Sequence, residues 1–245
     1  MKATIKILFI ITFLLFFVSC EDFIKEKDDI DGSGNVIMLE KSFTNFSELE
    51  FGYAIEVELY QADDYSVQIW IDDNLEKYLV TQKGRNNLSI KLNDDNNYND
   101  YTFRAKISMP DLTSLEISGA STTDLFDFEN QHDMTIELSG ASKLYGDLIT
   151  DDLRLDISGA SLVELEGTGD DLDVNASGAS VLKLGDYEVN DVNLNLSGAS
   201  VATIFANVVI DAGLSGASVL NWKGDAQIRN ITSTGASVIN HIQNP

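Results

Sequence analysis

The sequence predicts an all-β fold: a single-stranded parallel β-helix of about seven regular coils of 18–21 residues, preceded by a less regular β region. Three observations predict it. First, a four-residue word recurs. Ser-Gly-Ala-Ser begins at Ser118, Ser139, Ser158, Ser177, Ser197 and Ser215, and Thr-Gly-Ala-Ser begins at Thr234, in steps of 21, 19, 19, 20, 18 and 19 residues. Second, alternation precedes each copy, with Ser233 before the last word as the one exception. Leu115, Ile136, Leu155, Val174, Leu194, Ala212 and Ile231 stand three residues before it, and Ile117, Leu138, Ile157, Ala176, Leu196 and Leu214 stand one before it. Polar residues such as Glu116, Glu137, Asp156 and Asn175 lie between. Period-2 alternation is the mark of a strand with one buried face. Third, a period near 19 is too short for a two-helix repeat, helical spacing is absent, and the Leu/Asn pattern of leucine-rich repeats is missing.

From the N-terminus, Lys2 and Lys6 precede an almost unbroken apolar run from Ile7 to Val18. The run suits the core of a signal peptide and is short for a membrane span. It closes on Phe17-Val18-Ser19-Cys20, which resembles a bacterial lipobox, and Cys20 is the chain's only cysteine. Residues 1–19 are therefore expected to be a lipoprotein signal peptide, with lipid carried on Cys20. Loss of residues 1–19 removes two lysines, taking the net charge from −24 to −26. Residues 20–34 follow as an acidic tether, from Glu21-Asp22 to Gly32-Ser33-Gly34. An acidic run behind a lipidated cysteine also resembles the surface-export signal of Bacteroidetes lipoproteins. The expected location is the outer membrane, facing outward at the cell surface, with a periplasm-facing position as the alternative.

Residues 35–245 are expected to form one continuous β-helical domain, with an irregular part over 35–111 and regular coils over 112–245. In the irregular part, Val36–Leu39, Ala54–Tyr60, Ser66–Ile71, Leu88–Leu92 and Thr102–Met109 read as strands, while 84–87 and 93–100 read as turns. They suggest wider coils, or a small sheet, shielding the open edge of the first regular coil. In the regular part, Gly119, Gly140, Gly159, Gly178, Gly198, Gly216 and Gly235 supply corners where φ turns positive or backbones approach closely. The alanine of each word is expected to point into the bend, and the two serine positions to stack as hydroxyl ladders. Gly146-Asp147, Gly167 to Asp171 and Gly185-Asp186 read as closing turns. One coil alone buries too little apolar surface to offset the entropy of ordering it, so the coils must fold together. After Ile239 only a few residues remain to cover the last coil. Either they suffice, or that edge pairs with another molecule, and homo-association through the C-terminal coil is the possibility this raises.

The order Phe43-x-x-Phe46, Ala54-Ile55-Glu56-Val57, Val67-Gln68-Ile69, Leu88-Ser89-Ile90 and Met109-Pro110-Asp111-Leu112, leading into the first word at Ser118, resembles the head GIN domain family of putative auto-transporter adhesins. The resemblance covers roughly residues 40 to 240. It implies an all-β, β-helical fold and a surface or adhesin role, and the family supplies no catalytic residues to transfer.

Composition narrows the chemistry. Asp and Glu number 40 against 16 Lys and Arg, which argues against nucleic acid and against docking on anionic lipid through a basic patch. A single cysteine excludes an intramolecular disulfide and a cysteine-based zinc site. His132 and His241 are the only histidines, and phosphate loops, nucleophile elbows and dinucleotide fingerprints are absent. No catalytic residue, cofactor or firm metal site is expected. Asp133, Asp152, Asp171 and Asp191, each six residues before a word, are weak Ca²⁺ candidates, because a stacked acidic column repels itself. Glu116, Glu137 and Asp156 should form a second acidic column with Arg154 beside it. Trp222 reads as core, and Trp70 as either core or an exposed platform. The reading these observations favour is a lipid-anchored, non-catalytic binding protein, with a glycan or an extracellular protein as ligand. The alternatives are a carbohydrate-active enzyme of β-helical type and a structural partner in an envelope complex.

Overall fold

The structure is a computed structural model that describes residues 27–243. Cys20, the apolar leader and the first part of the acidic run lie outside the described residues. The expected β-helix forms. Strands Met134–Leu138, Leu153–Ile157 and Asp171–Ala176 stack in parallel on a first face. Strands Lys143–Ile149 and Leu162–Thr168 stack in parallel on a second face and bend toward a third. Seven corner words therefore enclose about six regular turns.

Alternation decides the core. Leu115, Ile136, Leu155, Val174 and Leu194 are completely buried, one above another. Ser121, Ser142, Ser161, Ser180, Ser200 and Ser218, the last residues of their words, are buried with them. Burying one aliphatic side chain contributes about 1.5–3 kcal/mol, so identical columns repeated over successive turns are what stabilise the rod.

The corners correct two expectations. The alanine of the word does not point inward. Ala141, Ala160 and Ala179 are exposed, and the second serine takes the inward position. That serine is not part of an open hydroxyl array. Ser142 Oγ donates to the Ser139 carbonyl at 2.8 Å, and Ser180 Oγ to that of Ser177 at 2.8 Å, so each buried hydroxyl is satisfied inside its own word. The first serine also turns to backbone in several words, as where Ser118 Oγ donates to the Phe51 carbonyl at 3.1 Å. The corner backbones hydrogen-bond to each other as well. Ala160 N–H reaches Gly140 O at 2.8 Å, and Ala179 N–H reaches Gly159 O at 2.8 Å. Gly159 has φ +75°, and a Cβ there would stand 2.2 Å from Gly140 O. Glycine is required both for its left-handed backbone and for the close stacking.

Two of the glycine pairs read as turns lie inside strands instead. Gly146 is within Lys143–Ile149, and Gly185 is within the continuous strand Val181–Leu196. At Gly146 a Cβ would clash with the Leu125 carbonyl at 2.3 Å, so this glycine lets the strand bend around the rod without leaving the ladder.

The N-terminal half extends the same stack, out of chain order. Glu48–Phe51 pairs in parallel with Ser114–Ile117 on one side and Asn87–Leu92 on the other. Glu56–Gln61 likewise lies between Thr122–Glu129 and Phe103–Met109. The turn built from residues 48–61 is thus sandwiched between two later ones. Gly52-Tyr53-Ala54-Ile55 is an eighth, disguised corner: Ser118 N–H reaches Phe51 O, Ala54 N–H reaches Gly119 O, and Thr122 N–H reaches Ile55 O. The stack then changes direction and ends. Ser66–Asp72 runs antiparallel to Phe103–Met109, Val36–Lys41 antiparallel to Ser66–Asp72, and Leu79–Lys83 antiparallel to Asn87–Leu92. The 3₁₀ helix Asp73–Tyr78 crosses this end and inserts the fully buried Leu75.

The tether expected to reach residue 34 stops sooner. Asp29–Asp31 is a parallel strand against Asn97–Asn99, within a stretch read from the sequence as a turn. Behind it, Gly34 N–H and Thr102 N–H donate to the buried Asp72 carboxylate at 2.5 and 2.7 Å. A buried carboxylate requires donors, and two distant backbone segments supply them. That need is invisible in the local composition of residues 29–34.

Candidate functional site

The surface is a set of ladders. On the first face, the residue two before each word forms one column: Glu50, Glu116, Glu137, Asp156, Asn175 and Asn195. The carboxylates give way to amides along the rod. Asn175 Nδ2 donates to Asp156 Oδ1 at 3.0 Å, and Asn195 Nδ2 to Asn175 Oδ1 at 3.3 Å. At the acidic end, burial raises the pKa of Glu116, and the neighbouring Glu50 and Glu137 raise it further. Burial acts against Glu50 too, but the hydrogen bond from the Lys91 ammonium at 2.8 Å, with the charge it carries, outweighs it and lowers its pKa. Arg154 bridges adjacent columns, with Nε on Asp156 at 2.8 Å and a terminal nitrogen 3.4 Å from Asp173.

The weak Ca²⁺ candidates do stack as their spacing requires. Asp152 N–H lies 3.4 Å from Asp133 Oδ1, Asp171 N–H lies 3.3 Å from Asp152 Oδ1, and Asp171 pairs in register with Asp191. Burial, and then the charges of Asp152 and Asp191, raise the pKa of Asp171. They line a shallow groove of about 460 Å³ together with Arg154 and Arg229. Among the described residues no three His, Cys, Asp or Glu side chains converge as metal ligands would. The carboxylates run along the rod and do not surround a point.

The second face is different. Its outermost column reads Thr122, Lys143, Leu162, Val181, Val201, Val219 and Val238. From Leu162 onward this outward position is aliphatic and half-buried until Val238, where it is exposed. At the N-terminal end, the same column continues through Glu56 and Arg104 to Trp70 and Met38. Here lies a groove of about 690 Å³, lined by Trp70, Val36, Arg104, Lys106, Glu58 and Asp124 among others. Arg104 pairs with Glu56 at 3.2 Å, and Lys106 lies 4.4 Å from the centre of the Tyr60 ring. The Tyr60 ring stacks on Phe126 at 4.6 Å. Trp70 is half-buried and faces outward, which makes it a platform, whereas Trp222 is core, 7 % exposed and stacked at 3.7 Å on His241. This groove gathers residues from four strands of the irregular part and from Thr122–Glu129 of the first regular coil, and only Trp70 signalled it in the sequence.

The histidines are not placed for nucleophilic catalysis. His132 Nε2 lies 2.6 Å from Asp111 Oδ1 and Nδ1 lies 2.8 Å from the Asp133 carbonyl, while His241 Nε2 lies 3.3 Å from the Gly224 carbonyl. Neither of these ring contacts involves a hydroxyl. The hydrogen bond with Asp111 raises the pKa of His132, as an ion pair at a turn would.

Comparison with known proteins agrees with this architecture. The family described as "Putative auto-transporter adhesin, head GIN domain" matches residues 45–226. A putative adhesin from Bacteroides fragilis superposes with a TM-score of 0.77 at 19% identity, over 87% of this chain and 100% of that one. A putative lipid binding protein from Parabacteroides distasonis gives 0.69 at 22% identity, over 88% and 100%. A putative adhesin from Parabacteroides merdae gives 0.67 at 17% identity, over 88% and 99%. No curated protein matches.

Proposed function

The chain belongs to the head GIN domain family of putative auto-transporter adhesins, and from that premise we propose that it is a non-catalytic binding protein of the cell envelope, held by lipid on Cys20 and displayed outward. The observation that carries the binding reading is the groove around Trp70. It joins an aromatic platform to paired acidic and basic side chains, and it opens onto a flat face where like groups recur about every 4.8 Å. An aromatic ring flanked by hydrogen-bonding charges suits the apolar face and hydroxyls of a sugar ring, and a regular wall suits an extended ligand. The preferred ligand is a glycan, with an extracellular protein as the other member of the class. One structural relative bears the name of a lipid binding protein, and lipid vesicles therefore belong in the test.

The test is a glycan, matrix-protein and vesicle array probed with the purified chain, with and without Ca²⁺. We expect saturable binding to at least one glycan class, lost at least tenfold with Trp70→Ala. Binding unaffected by Trp70→Ala would remove the groove from the reading. Release of new reducing ends or unsaturated products from a polysaccharide would replace binding by catalysis. Cell fractionation checks the anchor separately. Cys20→Ser should move the protein out of the membrane fraction, and continued retention would refute lipidation.

A further inference from the structure

The two ends of the stack are finished differently, and the C-terminal one is left open. Gln227–Ser233 pairs with Val201–Leu214, and Val238–His241 with Val219–Lys223, and among the described residues nothing stacks on their far side. The inward positions of this last turn are therefore uncovered. Ile228 and Ile231 are 44% and 38% exposed, whereas their ladder partners Ile210 and Ala212 are 0% and 6% exposed. Ile242 is exposed beside them. Outward-pointing backbone N–H and C=O groups line the same edge, ready to pair with another strand.

The charge on this edge identifies its occupant. The chain carries 40 Asp and Glu, yet none lies after Asp225. The last turn presents Gln227, Asn230, Thr232, Asn240 and His241, and its one arginine, Arg229, is already paired with Asp211. Elsewhere the surface of a chain with net charge −24 repels a second copy of itself. In the last turn exposed apolar groups, free backbone and an acid-free strand coincide, and a self-complementary contact requires a surface of this kind.

We propose that the last turn is an interface with a second copy of this chain, the two open ends meeting tail to tail across a two-fold axis. A two-fold axis perpendicular to the rod reverses strand direction, so Gln227–Ser233 meets its partner antiparallel, and the exposed isoleucines of both copies merge into one core. The contact closes on itself. The opposite end differs: its core is plugged by Leu75 beneath antiparallel strands, and its edge strand Val36–Lys41 carries Glu40 and Lys41 beside the exposed Val36 and Met38, so it does not present the uncovered core that the last turn does. The assembly is a dimer and not a filament.

Sedimentation velocity over a concentration series tests this. The wild-type chain should pass from its monomer mass to twice that value, and more readily as salt screens the acidic rods. Ile228→Asp with Ile231→Asp places carboxylates against their symmetry mates and should weaken the dimer at least a hundredfold. Val208→Asp, exposed on the side of the rod, should leave it unchanged. Hydrogen exchange of the unmodified chain checks the same surface without relying on a variant, since amides within 227–241 should slow as concentration rises. A monomer at every concentration, with no concentration-dependent exchange in that stretch, overturns the proposal. So does a dimer indifferent to the two aspartates, or a growing series of oligomers abolished by Met38→Asp, which would mark a head-to-tail contact.

Discussion

The two ends of this rod solve one problem in opposite ways. A stacked parallel fold must stop somewhere, and each stop exposes a layer of core and a row of unpaired backbone. At the N-terminal end the chain reverses direction, lays antiparallel strands across the stack and drives Leu75 into it. Tyr53, Tyr78, Tyr98 and Tyr101 pack together there, over the corner ladder. At the C-terminal end the repeat simply continues to its last turn, whose strand Gln227–Ser233 is exposed throughout. Regular turns therefore supply length, and a non-repetitive segment supplies closure.

The sharpest way to break that comparison is to make one substitution in the middle and again at the open end. Gly159→Ala forces a Cβ to 2.2 Å from the Gly140 carbonyl at φ +75°. In a turn held on both sides it should cost more than about 3 kcal/mol in urea denaturation, or abolish folding. Gly235→Ala meets a similar clash, 2.4 Å from Gly216 O, but in a turn free to shift outward, and its cost should be several-fold smaller. Equal effects would mean that the last turn is held as firmly as the middle.

Core truncation comes next. Leu75→Ala opens a cavity under the plug and should cost about 2–5 kcal/mol, whereas Ile231→Ala, already 38% exposed, should cost under about 1 kcal/mol in the monomer. Buried hydroxyls give a smaller contrast. Ser180→Ala loses the bond to the Ser177 carbonyl and should cost about 1 kcal/mol, while Ser237→Ala in the last turn should be near neutral by the same measurement.

Acidity separates individual carboxylates along the rod in sign. Glu116, Asp124 and Asp171 have raised pKa values, so their ionisation opposes folding at neutral pH. The stability they contribute is fully present below the unfolded carboxylate range and is lost as pH rises through their folded values. Asp211, beside the last turn, has a lowered pKa from its bonds with Arg229 and Asn230. Its contribution is present above the unfolded value and is lost as pH falls through the folded one. Melting curves should therefore rise slightly on mild acidification from neutral pH, and rise likewise with added salt. Exchange in 227–233 should quicken only at lower pH still.

The same contrast explains what could be read in advance. A periodic sequence states its fold many times over, and the seven words and their flanking alternation placed the corners, columns and buried faces. The inward serine was misassigned because hydroxyl burial depends on a carbonyl three residues back within a bend, which composition does not reveal. The disguised corner at Gly52 was detectable, since Leu49-Glu50-Phe51 repeats the alternation of Leu115-Glu116-Ile117 ahead of it. Its place between two later turns was not, because contacts that cross chain order leave no local mark. The groove at Trp70 fell in that same irregular stretch. The groove on which the proposed binding role rests thus lies where repetition gives no guidance.

The hydrogen-bonded glycine ladder has one further consequence. Because each corner docks only on the corner beside it, whole laps can be duplicated or deleted without redesigning the others. Partial ones cannot, since a shift of one residue would turn the interior outward. The protein's reach is therefore quantised, changing by about 4.8 Å per lap. The observed steps of 18 to 21 residues mark the tolerance that the bends opposite the words allow.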